Sequence, residues 1–288
     1  SRLDGYGKLS APCPHCTNEN EFGVADVSVI QAAENLPGPK PARVKSTQSP
    51  RKPLATSYPK AKATFGVGYV EDRPAAAAIV GRIITSWADI EVQCARLLGE
   101  LLQIYVPTAA AVFGSMRSSR TQHDALEAAA KVALNNHDYE LFCAYMARRS
   151  SLEKERNDIA HGCYGVSLTI PDGVVWVAQN DFLTFQAMFA VDPQKATQDF
   201  RAKQFVYELG TLERIASDIE EHHAQLGSFI GYLVAREGGM QGRAFRAERY
   251  PQLCNQPHIR EALDRVRTAK KESQVRGTKF PSNRKPKP

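Results

Sequence analysis

The chain has 288 residues, 43% of them hydrophobic, enough for one large or two small cores, and no apolar run approaches the roughly 20 residues that would span a bilayer. Its six cysteines, Cys13, Cys16, Cys94, Cys143, Cys163 and Cys254, are mostly scattered along helical patterns, which argues against a disulfide framework and for a reduced, cytoplasmic chain. The net charge of +6 is uneven: residues 37–74 hold eight Lys/Arg against two acids, residues 267–288 eight against one, and the remainder is net acidic.

The first residues show no basic stretch followed by an apolar one, so no secretory leader is expected. Residues 1–36 form a short N-terminal segment whose one chemical feature is Cys13-Pro14-His15-Cys16. This is half of a zinc ribbon. A structural zinc needs four ligands, so Cys13 and Cys16 would need a second pair from a partner chain or from Cys254 and His258. Residues 37–74 carry Pro37, Pro39, Pro41, Pro50, Pro53, Pro59 and Pro74 among Lys, Ser and Thr, the composition of an extended linker that packs no core.

From Ala75 the pattern becomes helical. Ile79, Ile83, Trp87, Ile90, Cys94, Leu97, Leu101 and Ile104 recur at steps of three and four, predicting one long amphipathic helix ended by Pro107. A second helical region is expected over 108–134, broken at Asn135-Asn136, and a third over 137–161, stopped by Gly162. The period then switches to two. Val166, Leu168 and Ile170 alternate, Pro171-Asp172-Gly173 supplies a turn, and Val174 to Val177 follow, which reads as a β-hairpin. Phe182 to Val191 suggests a third strand. Asp192-Pro193 looks like a helix start, predicting a long fourth helix to about residue 237 and Gly238-Gly239 as its end. Residues 75–240 thus make the helical domain, 241–266 a C-terminal extension with a short helix near 257–269, and 267–288 a disordered basic tail. Lys270, Lys271, Arg276 and Lys279 are the tail's candidate nucleic-acid contacts, since such arms bind polyanions by releasing counterions. A solubilising tail fits the same charges.

The sharpest motif closes the third helix: Arg156-Asn157-Asp158-Ile159-Ala160-His161-Gly162. Asn157 and His161 are four apart and share a helical face, and the long arm of Arg156 reaches the same edge. An imidazole, an amide and a guanidinium are thereby gathered at one helix end. Elsewhere, Arg117 and His123 show a looser version of the spacing without helical continuity. Glu220, Glu221, His222 and His223 are consecutive, so a helix would point them to different faces and no metal site follows.

The motif, with Asn after the arginine, Ala before the histidine and Gly after it on the third helix, resembles the R-x4-6-H signature of HEPN domains. The resemblance covers about residues 75–237. It implies a mostly α fold, a HEPN-like four-helix bundle with a small β-hairpin inserted after the third helix. It implies a metal-independent endoribonuclease that needs no catalytic cofactor and leaves 2′,3′-cyclic phosphate ends. Two protomers would set their motifs face to face, so a homodimer is expected, with RNA as substrate. His161 would be the base or acid, Arg156 would stabilise the phosphorane, and Asn157 would position substrate or the partner motif. Glu91, on the first helix beside the Trp87 stripe, would orient Arg156 if it faces the motif, and would otherwise be a plain surface glutamate. Family members paired with antitoxins carry a tyrosine two positions after the histidine. Here Cys163 stands there and Tyr164 one later, which puts nucleotide attachment to that tyrosine in doubt, although Tyr164 stays a supporting candidate. Such nucleases commonly serve as toxins or effectors in prokaryotic antiphage defence, with a regulatory or antitoxin partner. The alternative is a non-catalytic module that dimerises or binds nucleic acid, in which His161 merely caps its helix.

Overall fold

The computed structural model describes residues 50–66 and 68–277. Cys13, Cys16 and Lys279 lie outside the described residues, as do the whole N-terminal segment, the linker up to residue 49 and the end of the basic tail.

The long helix predicted from Ala75 is present as α2, Pro74–Leu102, with proline at its first turn where no N–H is needed. Ile79, Ile83, Trp87, Ile90, Cys94, Leu97 and Leu101 are all buried, so the apolar stripe is the core face. Ile104 falls beyond the helix end and is exposed, because Gln103 turns the chain in the left-handed region with φ 54°. The second helical region is two helices, α3 (Val106–Ser115) and α4 (Ser119–Ala133). Ser118 breaks them apart by accepting a hydrogen bond from the Thr121 N–H, the preferred way to start a helix. Asn135 similarly caps α5 (Asn136–Ala160), accepting from the N–H groups of His137 and Asp138.

The fourth long helix is shorter than expected. Asp192 and Pro193 do start a helix, α7 (Pro193–Ala202), but Phe205–Glu208 is a strand and the long helix α8 runs only over Leu209–Val234. α2 and α8 lie side by side and parallel: Arg82 pairs with Glu213 and Glu220, Gln93 meets His223, and Arg236 reaches the Glu100 carbonyl. α5 runs antiparallel to both, with Arg149 beside Trp87 and the Tyr232 hydroxyl donating to Asp138 at 2.6 Å.

Two boundaries move. α9 (Gly239–Cys254) and α10 (Pro257–Gly277) belong to the bundle, since Leu253, Ile259, Ala262 and Leu263 are buried. The first part of the supposed tail is therefore helix. Lys270 and Arg267 are held by Glu140 of α5 at 2.7 and 3.3 Å, so Lys270 is an internal contact, while Lys271 is exposed.

The hairpin is present as β3 (Gly162–Val166), a few residues earlier than predicted, and β4 (Gly173–Ala178), where it was expected, and Leu168 is solvent-exposed. It is the centre of a five-stranded antiparallel sheet ordered β1-β5-β4-β3-β2. Strand β5 is Phe205–Glu208, and the edges β1 (Lys52–Pro53) and β2 (Thr64–Phe65) come from the stretch expected to be a bare linker. That expectation fails between residues 50 and 66 because a second, smaller core exists there. Leu54, in the short helix α1 (Leu54–Ser57), and Ala61 are buried against Ile170, Val175 and Val206. Alternate residues of the sheet face opposite ways: Val174, Trp176 and Tyr207 join the helical core, Val175 and Val206 the second one. The third strand foreseen over Phe182–Val191 is instead helix α6 (Gln179–Phe189), which continues directly from β4.

No single described helix is long and apolar enough to cross a membrane.

Candidate active site at the end of helix α5

The last turn of α5 leaves carbonyls without helical partners, and three groups satisfy them. The His161 N–H donates to the Asn157 carbonyl at 3.0 Å, the Trp176 indole N–H to Asp158 at 2.8 Å, and the Tyr164 hydroxyl to Ile159 at 2.7 Å. Tyr164 is thus tied down as a helix cap, not a reactive phenol, and burial pushes its pKa upward.

His161 is the cap residue itself, with φ −111° and ψ 12°, and its side chain is exposed. Gly162 does not take the left-handed conformation expected of a helix-ending glycine. It opens β3, and its missing side chain makes room for Trp176: a Cβ there would lie 1.6 Å from the indole nitrogen.

Arg156 and Asn157 are half-buried neighbours of this end. The Arg156 Nη1 donates to Asn157 Oδ1 at 3.0 Å, and its guanidinium lies 5.9 Å from the centre of the Trp87 ring. Arg149, buried one turn pair earlier, sits 5.3 Å from the same ring and donates to Glu153 at 3.2 Å. Glu91 does not orient Arg156 directly. It accepts the Trp87 indole N–H at 3.0 Å, and among the described residues no ion pair joins it to Arg156, so any influence passes through Trp87.

One contributor had no signal in the sequence. Arg51, from the proline-rich stretch, stacks 4.0 Å over Trp176 and 4.6 Å over Phe205 and pairs with Asp158 at 3.1 Å. Asp158 is therefore neutralised by a residue more than a hundred positions away, not by Arg156. The strand pairing that carries Arg51 there cannot be read from a local pattern. The helix end so assembled carries an exposed imidazole, the Arg156–Asn157 guanidinium–amide pair in its last turns, and a second guanidinium, Arg51, held on aromatic rings and paired with Asp158.

The other sequence candidates separate. His123 is half-buried on α4 facing Glu127, and burial lowers its pKa. Glu220 pairs with Arg82, Glu221 accepts from Gln225, His222 is buried and His223 meets Gln93, four different directions as helix geometry demands. Among the described residues, Asp218, Glu221 and His258 are close enough to share one cation. Asp218, however, is paired with Arg148 at 3.3 Å and Arg214 at 3.1 Å, and two guanidiniums oppose a metal there.

No protein-family model, curated protein or solved structure matches the chain.

Proposed function

We propose that this chain is a metal-independent endoribonuclease of HEPN type, acting as a homodimer in the cytoplasm. The observation that carries the proposal is the exposed His161 at the C-terminus of α5, one turn from Asn157, whose amide oxygen accepts from Arg156. In the reaction His161 takes the proton of a ribose 2′-hydroxyl as that oxygen attacks the adjacent phosphorus. Negative charge builds on the phosphoryl oxygens, where the Arg156 guanidinium stabilises it. The 5′-oxygen of the next nucleotide leaves as a His161 imidazolium returns a proton to it, and the products are a 2′,3′-cyclic phosphate and a 5′-hydroxyl. One chain supplies one set of these groups, so a second protomer would complete the cleft. The resemblance further suggests a toxin or effector in antiphage defence, restrained by a regulatory partner.

The test is total RNA incubated in excess EDTA with wild type and with His161→Ala. Cleavage by wild type alone supports the proposal; equal cleavage by both removes His161 from the mechanism. A second reading, a non-catalytic dimerising or nucleic-acid-binding module, is favoured by one observation. The Arg156 Nη1 is already engaged by Asn157 and its ring-stacked position is that of a packing residue.

A further inference from the structure

On the face of the sheet away from the main core, α6, α7 and β2 leave an open groove of about 470 Å³. It is built on aromatic rings. Phe185 stacks on Phe200 with centroids 4.1 Å apart, and Phe65 lies 5.3 Å from Phe200 and 5.8 Å from Phe182. α6 has no buried residue, so Phe182 and Phe185 keep part of their faces in solvent. Gln186 and Thr197 stand exposed beside the rings, and Lys62 and Arg201 line the same groove. Arg201 is fixed in place by donating to the Ala61 carbonyl at 3.0 Å and to that of Pro59. Among the described residues no acidic one lines the groove and neither cation has an ion-pair partner.

We infer that this groove binds unpaired bases of single-stranded RNA, which names the form of substrate for the function proposed above and rests on that proposal. The match is threefold: ring faces for the π face of a base, amide and hydroxyl groups for its polar edge, and two cations for the flanking phosphates. A purely apolar partner would cover the rings but leave Lys62 and Arg201 desolvated without countercharge. A duplex keeps its base faces stacked inside. Placement supports the link to the candidate site. α6 departs from Ala178, which pairs with Gly162, the residue after His161. Phe182 and Phe185 follow within about two helical turns, on the order of 10 Å along the helix.

The experiment is fluorescence anisotropy of the full chain with a short fluorescein-labelled 2′-O-methyl oligouridylate, which cannot be cleaved through a 2′-hydroxyl. Phe182→Ala with Phe185→Ala should weaken binding by about tenfold or more, the order expected for a lost base stack, while Phe185→Tyr keeps it. Lys62→Glu should weaken binding and reduce its salt dependence. Excess duplex should not displace the probe from wild type. Unchanged affinity in the folded alanine variant, or displacement by duplex, overturns the inference. So does a change in oligomeric mass with RNA affinity intact, which would make the groove an interface between copies. Should the alanine variant fail to fold, the exposed substitutions Lys62→Glu and Gln186→Ala decide: wild-type affinity in both overturns the inference. Binding that persists in a protein without ribonuclease activity would sink the nuclease proposal and leave the groove standing.

Discussion

At position 222 an imidazole sits in the core with neither ring nitrogen hydrogen-bonded, 1% exposed and 6.3 Å from the Tyr145 ring. Burial, aided by Arg148, Arg149 and His223, pushes its pKa down to about 3. The unfolded chain protonates this histidine near 6.5, the folded chain only near 3, so the unfolded state binds more protons between those values. Stability is therefore lost as pH falls from about 6.5 toward 3, at up to about 1.4 kcal/mol per pH unit. His222→Leu should remove that component. Unfolding free energies from urea titrations at pH 7 and pH 5 should differ less in the variant, by about 2 kcal/mol; equal differences would mean that the buried imidazole carries a proton in the fold. At this scale the shared face of Asn157 and His161 was legible because a four-residue step on a helix dictates it, and Arg156 meets Asn157 as its chain neighbour. Arg51 was not, since nothing local marks an arginine in a proline-rich stretch as the partner of Asp158.

Among the elements, the α5–β3 junction carries the most consequence. Trp176 of β4 occupies the space over Gly162 and donates to the Asp158 carbonyl, so strand and helix end lock each other. Gly162→Ala should destabilise the fold by about 1–3 kcal/mol through overpacking, visible as a lowered thermal midpoint. A wild-type midpoint would mean that the indole moves aside freely. Tyr164→Phe is milder: losing the hydroxyl leaves the Ile159 carbonyl without its partner and should cost about 0.5–1.5 kcal/mol. Any ribonuclease activity should survive that change at wild-type kcat. A collapse of kcat with unchanged stability would mean that Tyr164 acts in the site as well as capping the helix. The elements misjudged from sequence were short and aromatic. Phe182, Phe185 and Phe189 step by three and four, a helical signal obscured by the strand-like composition of α6. Phe205-Val206-Tyr207 is a buried strand too brief to interrupt the helical pattern around it.

For the molecule as a whole, residues 50–66 close both edges of the sheet and cover its outer face. Leu54 is fully buried there, so Leu54→Ala should cost about 2–5 kcal/mol in urea unfolding, and a chain beginning at Pro74 should expose Ile170, Val175 and Val206 and aggregate. Stability of Leu54→Ala equal to wild type would show that the second core is not formed in solution. The C-terminal helices likewise extend the bundle past the expected boundary at residue 240, joined to α5 by Glu140 with Arg267 and Lys270. By itself the sequence determined the mostly helical class, the buried stripe of α2, the hairpin after the third long helix and the helix-end motif, because each follows from spacing within a few residues. Only the tertiary structure decided that a proline-rich stretch completes the sheet, that Arg51 meets Asp158, that Gly162 yields space to an indole, and that α6 carries half-open rings. Those outcomes depend on which distant segments share a surface, and burial and steric fit across a sheet leave no periodic trace in the chain.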